Sequence, residues 1–311
     1  MTDEPETKDQ LIYLINVCEK ARRFDDMVEA MKKLIKLEPN LGLEDRVSLA
    51  VAYKGAMSLR RSSWRSLVSI EERTGPEMNE RQHQVMQSYR EHVQNELVTI
   101  CQELLTCINE VLFPKATDPE PKVFYLKMKA DYYRYMAEVA KCHGDDSYNQ
   151  KMPRPRPYKN TMFLVVRVVV MAFFGCTSRR RGIFWLYESS SWRFLDVRVV
   201  VVALRSILCI KCVVELAKAA YQEAMEIATS KIAATNPTRL GLALNFSVFI
   251  FEILKSVDEA RKVAQKAIDL AQAEIATLTV PLADDASINL RMMRENMELW
   301  TPEGGSHTKT T

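Results

Sequence analysis

VAYKGAMSLRRSSWRSLVSIEERTG, residues 51–75, is the stretch on which the reading of this chain turns. With Val47 just before it, Leu49 begins a spacing of three and four that Ala52, Ala56 and Leu59 continue, which is the period of one helix face. A helix is therefore expected over residues 44–73. Lys54 and Arg61 stand seven residues apart on it, so two turns of helix place both cations on one side.

The same periodicity extends in both directions. Upstream, Leu11, Ile12, Leu14, Ile15, Cys18, Ala21, Met27, Ala30, Met31 and Leu34 predict helix from Lys8 to Leu37, with a break near Arg22 to Asp25. Downstream, helical patterns cover 77–112, 119–142, 211–229, 236–254, 257–278 and 285–299. Asn236-Pro237 reads as an N-cap followed by Pro at the first helical position, and Ser256 with Glu259 resembles a capping box. Long helices with short connections imply antiparallel neighbours. No fixed internal repeat of the solenoid kind is found.

Composition supports the helical class. Of 311 residues, 47% are hydrophobic and 27% charged, ordinary for a globular protein, and nine Gly with twelve Pro are few for a turn-dense β-sandwich. The seven Cys form no pair of CxxC motifs, which argues against a zinc site or a secreted disulfide framework and for reduced thiols in the cytoplasm, with the nucleus open as a second compartment. MTDEPETKDQ, at the start, lacks the apolar core of a signal peptide.

The formal charge of +3 conceals an asymmetry. Residues 148–210 carry eleven Lys or Arg against Glu188 and Asp196, a net of +9, and the remainder is acidic at −6. That remainder lacks the surplus of cations needed to follow a phosphate backbone, so nucleic acid is not an expected partner. The 148–210 stretch also differs in kind: PRPRP is followed by LVVRVVVMAFF, SRRRGIFWLY and VRVVVVALRSILCI, and 35 of its 63 residues are apolar. Such β-branched runs suit strands. Arginines interrupt each run before the roughly 20 apolar residues a membrane span requires, so membrane insertion is not the favoured expectation.

Five separated segments resemble the 14-3-3 family: residues 51–75 above, KVFYLKMKADYYRYMAEVA at 122–140, AYQEAMEIA at 220–228, TRLGLALNFSVFIFEIL at 238–254, and RENMELWTPEGG from Arg294. They occur in the family's order on both sides of 148–210, a stretch without counterpart in the family pattern that reads as an insertion between two helices. Smaller departures are RVSLAVAYKG where the family has RNLLSVAYKN, and FSVFIFEI where it has FSVFYYEI, so that Ile250 and Phe251 replace tyrosines. The near-neutral tail GGSHTKTT replaces the usual acidic one and is expected to be disordered. The resemblance implies an all-α fold of nine antiparallel helices forming an amphipathic groove, and a dimer. It divides the chain into residues 1–147, an insertion at 148–210 of uncertain structure, residues 211–300 and a tail at 301–311.

The resemblance also assigns residues. Lys54, Arg61, Arg134 and Tyr135 would bind phosphate, with Arg65 and Lys127 nearby. The chemistry suits this: phosphoserine or phosphothreonine carries about −1.5 to −2 charges and three acceptor oxygens, which planar guanidinium groups meet with paired hydrogen bonds. Lys127 and Arg134 repeat the spacing of Lys54 and Arg61 on another helix. Taken singly, each of these cations fits a solvated helix face equally well. Asn245 and Asn296 would pair with a peptide backbone, since an amide both donates and accepts. Asn245 and Glu252 lie seven apart on one helix face, and Leu244, Val248, Met292, Leu299 and Trp300 would line an apolar wall, the Leu, Val and Met residues having ordinary core as their alternative. For dimerisation the matching positions are Arg23 with Glu96, and Asp26 with Tyr89 and His92. Ser63 matches a site whose phosphorylation would place a dianion at that interface.

Enzyme signatures are not found: the four His have no HExxH spacing, and neither GxSxG nor GxxxxGK[ST] occurs. The expectation is a non-catalytic adaptor without cofactor or metal that takes phosphorylated client proteins and pairs with itself or a related subunit. Two rivals are a membrane-attached variant using residues 161–210 and a defective product carrying an intron-like insertion.

Overall fold

The computed structural model describes residues 7–140, 184–188, 191–195, 197–277 and 284–300. They fall into two compact units, Met1–Met136 with Leu216–Thr311, and Ala137–Glu215. Among the described residues there are nine long helices: α1 (Lys8–Lys20), α2 (Phe24–Leu37), α3 (Leu43–Thr74), α4 (Glu80–Cys107), α5 (Pro119–Ala140), α6 (Val197–Lys231), α7 (Pro237–Glu252), α8 (Val257–Ile275) and α9 (Asp284–Leu299). A short 3-10 turn, Gly75–Glu77, follows α3, and a π turn, Ile108–Leu112, extends α4 to the Pro114 turn at Phe113–Lys115.

In the first unit each predicted helix appears within a few residues of its expected ends, because the apolar stripe and the capping chemistry agree. On α2 the stripe Met27, Ala30, Met31, Leu34 is wholly buried. Thr7 and Gln10 form a reciprocal capping box on α1, as do Asn79 and Gln82 on α4. Asn236 accepts from the amides of Thr238 and Arg239, with Pro237 opening α7 as expected. The break between α1 and α2 falls at Arg22, whose φ of 56° reverses the chain while the Arg23 amide donates back to the Cys18 carbonyl.

Two local expectations are corrected. Ser256 does not cap α8 with its side chain. Lys255 before it adopts φ 58°, and the Ser256 amide donates to the Ile250 carbonyl, so this residue closes α7 from below. VRVVVVALRSILCI, read as suited to strands, lies in α6, which starts at Val197, fourteen residues before the expected 211. The run contains neither Gly nor Pro, so helix propagating from the strongly helical residues that follow it adds one hydrogen bond per residue without a break.

In the first unit, α1 packs on α2, α2 on α3, and α3 on α4, while α7 packs on both α8 and α9. The helices are held by a core that includes Leu11, Met27, Met31, Leu34, Leu49, Met57, Leu97 and Leu104, all at most 1% exposed. One close approach is decided by a glycine: a Cβ on Gly55 would lie 2.2 Å from Cγ of Phe24, so the Phe24 ring occupies the space that any other side chain would need. That contact locks α2 against α3 beside Lys54. In the second unit the described residues include an antiparallel hairpin, β1 (Phe184–Glu188) and β2 (Ser191–Leu195), pairing Trp185 with Phe194 and Tyr187 with Trp192. LVVRVVVMAFF, PRPRP, the SRRR run and the tail GGSHTKTT lie outside the described residues.

Candidate phosphate-binding groove

The cationic positions of α3 and α5 meet at one aromatic ring. The guanidinium carbon of Arg61 lies 4.0 Å from the centroid of the Tyr135 ring, and that of Arg134 lies 4.7 Å from it. Two like charges are thus brought to one phenol ring, a cation–π arrangement whose electron-rich face offsets part of their repulsion. Arg134 is buried to 8% exposure. Tyr135 is pushed above its ordinary pKa by burial and by Asp131, so its hydroxyl stays protonated and able to donate to an anion.

Beneath these cations lies a carboxylate that periodicity did not single out. Asp131, 6% exposed, accepts from Lys127 Nζ at 3.0 Å, from Tyr221 Oη at 2.5 Å, and from Asn245 Nδ2 at 2.9 and 2.8 Å to its two oxygens. Arg134 Nη2 stands 3.5 Å from the same carboxylate and donates through Nε to Tyr221 Oη at 3.3 Å. Its Nη1 points toward Glu252 Oε2 at 3.8 Å. Burial alone would raise the Asp131 pKa, but Lys127, Arg134 and the Tyr221 hydroxyl outweigh it and hold the acid below the ordinary carboxylate value. Asp131 is therefore an ion in the interior whose lone pairs are filled, the condition under which a buried charge is tolerated.

The sequence-predicted residues divide by placement. Arg61, Lys127, Arg134, Tyr135, Asn245 and Glu252 form one connected cluster built from α3, α5 and α7. Lys54 is exposed two turns before Arg61 on α3, and Arg65 is exposed one turn after it. Leu244 is buried at 6% and packs as core, the alternative open to it. Val248 is half-buried, whereas Met292 and Leu299 on α9 are 43% and 70% exposed, leaving apolar surface along the α7–α9 side. Asn296 is half-buried on α9. Trp300 stacks on Phe251 with ring centroids 4.8 Å apart, so its indole fastens the end of α9 to α7. Asp131 carried a signal that went unused, a carboxylate four residues after Lys127 and three before Arg134, the spacing of helical ion pairs. Tyr221 carried none, being 90 residues from its partner.

Charged groups assigned to an interface find partners inside the chain. Arg23 Nε meets Asp26 at 2.7 Å, and Glu96 meets Arg60 at 2.9 Å and His92 at 3.1 Å. The Tyr89 ring stacks on His92 at 6.3 Å, and Ser63 is half-buried on α3. Among the described residues no three of His, Cys, Asp and Glu are gathered as a metal site would need.

The family model of the 14-3-3 protein matches residues 14–160 and 210–301. The chain belongs to the 14-3-3 family. It is similar to 14-3-3-like protein 2 of Caenorhabditis elegans, 37% identical over 299 residues that cover 96% of this chain and 94% of that protein. It is also similar to 14-3-3 protein beta/alpha-B of Xenopus laevis, 36% identical over 296 residues covering 95% and 94%. 14-3-3 protein zeta of Bombyx mori is 36% identical over the same length, covering 95% and 93%. The family model skips residues 161–209, inside the stretch that reads as an insertion. The cluster of Arg61, Arg134 and Tyr135 lies within the first matched segment and Asn245 and Glu252 within the second, so the groove of this 14-3-3 chain draws on both sides of the unmatched stretch.

Proposed function

We infer that this chain is a non-catalytic adaptor that binds phosphoserine- or phosphothreonine-containing segments of client proteins and regulates them as a dimer. The observation that carries this reading is the convergence of Arg61 and Arg134 on the Tyr135 ring, because two guanidiniums and a protonated phenol meet a tetrahedral dianion with charge-assisted hydrogen bonds on several sides. The exposed apolar strip of α9 and the amide of Asn245 supply what an extended peptide flanking that phosphate would use. Membership of the 14-3-3 family supports an adaptor role.

Dimerisation is supported by apolar side chains left exposed in the single chain: Tyr13 at 73% and Val17 at 43% on α1, Leu59 at 72% on α3, and Val85 at 70% and Tyr89 at 58% on α4. The partner is a second copy or a related subunit, and the expected compartment is the cytoplasm, with the nucleus as a second site of action.

Calorimetry with one peptide in phosphorylated and unphosphorylated form tests the reading. The phosphorylated peptide is expected to bind and the other barely at all. Replacing Arg61 or Arg134 by Ala removes a charge-assisted partner worth about 1.5 to 3 kcal/mol, about a tenfold to hundredfold loss of affinity. Equal binding of the two peptides would reject the adaptor assignment.

A further inference from the structure

We propose that Asp131 is the positioning and selectivity residue of the phosphate site: its buried carboxylate presets Lys127, Arg134 and Asn245 for a phosphorylated peptide, and its negative charge tunes the pocket to a phosphate dianion over a carboxylate. The proposal rests on the phosphopeptide reading and names what makes that site selective.

Three groups assigned to ligand binding share this one anchor. Lys127 and Asn245 touch it directly, and Arg134 is held both by it and, through Nε, by the Tyr221 hydroxyl that donates to it. Asn245 Nδ2 lies at nearly equal distance from both carboxylate oxygens, an approach that a single N–H can make. The carbonyl oxygen and the second N–H of that amide then remain for a peptide backbone. Arg134 likewise has Nε and Nη2 turned toward its internal partners, and Nη1 is directed elsewhere. Long side chains that would otherwise lose rotamer freedom on binding are ordered beforehand, and preorganisation of that kind strengthens binding by lowering its entropic cost.

Charge is the second part. Arg61, Lys127 and Arg134 are the cations of the connected cluster, and Asp131 and Glu252 are the carboxylates that face them, with Lys54 and Arg65 exposed on α3 to either side of Arg61. The surplus is positive, and the α3 cations on either side add to it, which suits a phosphate of about −1.5 to −2. A carboxylate ligand carries half that charge and one oxygen fewer, so it leaves the pocket partly uncompensated. Removing the Asp131 charge raises the attraction for any anion while releasing the fixed geometry that only the phosphate exploits.

The test compares a phosphoserine peptide with the same peptide carrying Glu at that position, each titrated into the full chain, its Asp131→Asn variant and its Tyr221→Phe variant. With Asp131→Asn the phosphopeptide is expected to weaken about tenfold while the Glu peptide keeps or gains affinity, so the ratio between them collapses. Tyr221→Phe, which removes one donor to Asp131 and keeps the ring, should shift the ratio the same way by less. Equal weakening of both peptides by Asp131→Asn would mean a merely structural carboxylate and overturn the proposal, as would unchanged phosphopeptide affinity. If Asp131→Asn does not fold, an unchanged ratio in Tyr221→Phe overturns it. A wild-type chain that binds phosphorylated and unphosphorylated peptide alike would instead reject the adaptor reading itself, an outcome visible before any variant is compared.

Discussion

At Asp131 two opposed effects meet, and their balance sets a pH dependence. Burial penalises the carboxylate, but Lys127, Arg134 and the Tyr221 hydroxyl stabilise it more, so its folded pKa lies below the ordinary value. A group depressed on folding contributes stability that is fully present above its unfolded pKa, about 3.9, and lost as pH falls through the folded one. Urea unfolding followed from pH 6 to pH 2 should therefore show a steeper acid loss in the wild-type chain than in Asp131→Asn, with the two curves drawing together at the acid end. Parallel curves would mean that the carboxylate titrates alike in both states. At this scale the sequence displayed the cations well, since helical spacing puts Lys54 with Arg61 and Lys127 with Arg134 on shared faces. It did not display how they are held, because Tyr221 and Asn245 reach Asp131 from 90 and 114 residues away.

Among the elements, helices were legible wherever an apolar stripe, a cap and an end signal coincided, as on α1, α4 and α7. Legibility failed where local and nonlocal preferences diverged. Val199 to Val202 favour strand in isolation, yet the residues after them continue a helix, and α6 takes them in. Ser256 and Glu259 have capping-box spacing, yet the reversal at Lys255 commits the Ser256 amide to the end of α7. Gly55 tests packing between elements. Gly→Ala in a helix interior normally stabilises by about 0.5–1 kcal/mol, but here the new Cβ would enter the Phe24 ring. Gly55→Ala is expected to destabilise by about 1–3 kcal/mol through overpacking, with Phe24→Leu in the same chain recovering part of the loss. Denaturant midpoints measure both, and a Gly55→Ala chain as stable as wild type would show that α2 shifts freely on α3.

For the whole molecule the decisive feature is the stretch that the family model leaves unmatched, residues 161–209. Lengthening a loop adds closure entropy slowly, about 0.6 kcal/mol per doubling, so a unit drawn from both sides of an insertion can still close. Apolar β-branched runs such as VVRVVV carry the sequence signature of self-associating segments. A shortened chain in which Asn160 is joined to Ile210 is expected to be more soluble than the full one, at least as stable, and unchanged in phosphopeptide affinity. Light scattering, thermal unfolding and calorimetry check the three parts. Loss of folding or binding on shortening, with the full chain soluble and active, would make the stretch an integral element.

By itself the sequence determined the helical class, the order of nine helices and their approximate ends apart from the start of α6, the family, and which cations share a helix face, because periodicity, capping and spacing act within a few turns of chain. Tertiary structure alone decided that Arg61 and Arg134 share the Tyr135 ring, that Asp131 anchors Lys127, Arg134 and Asn245, and that Gly55 makes room for Phe24. Each of these depends on which faces of distant helices come together, and that is set by burying apolar stripes against one another in three dimensions, a choice no local pattern encodes.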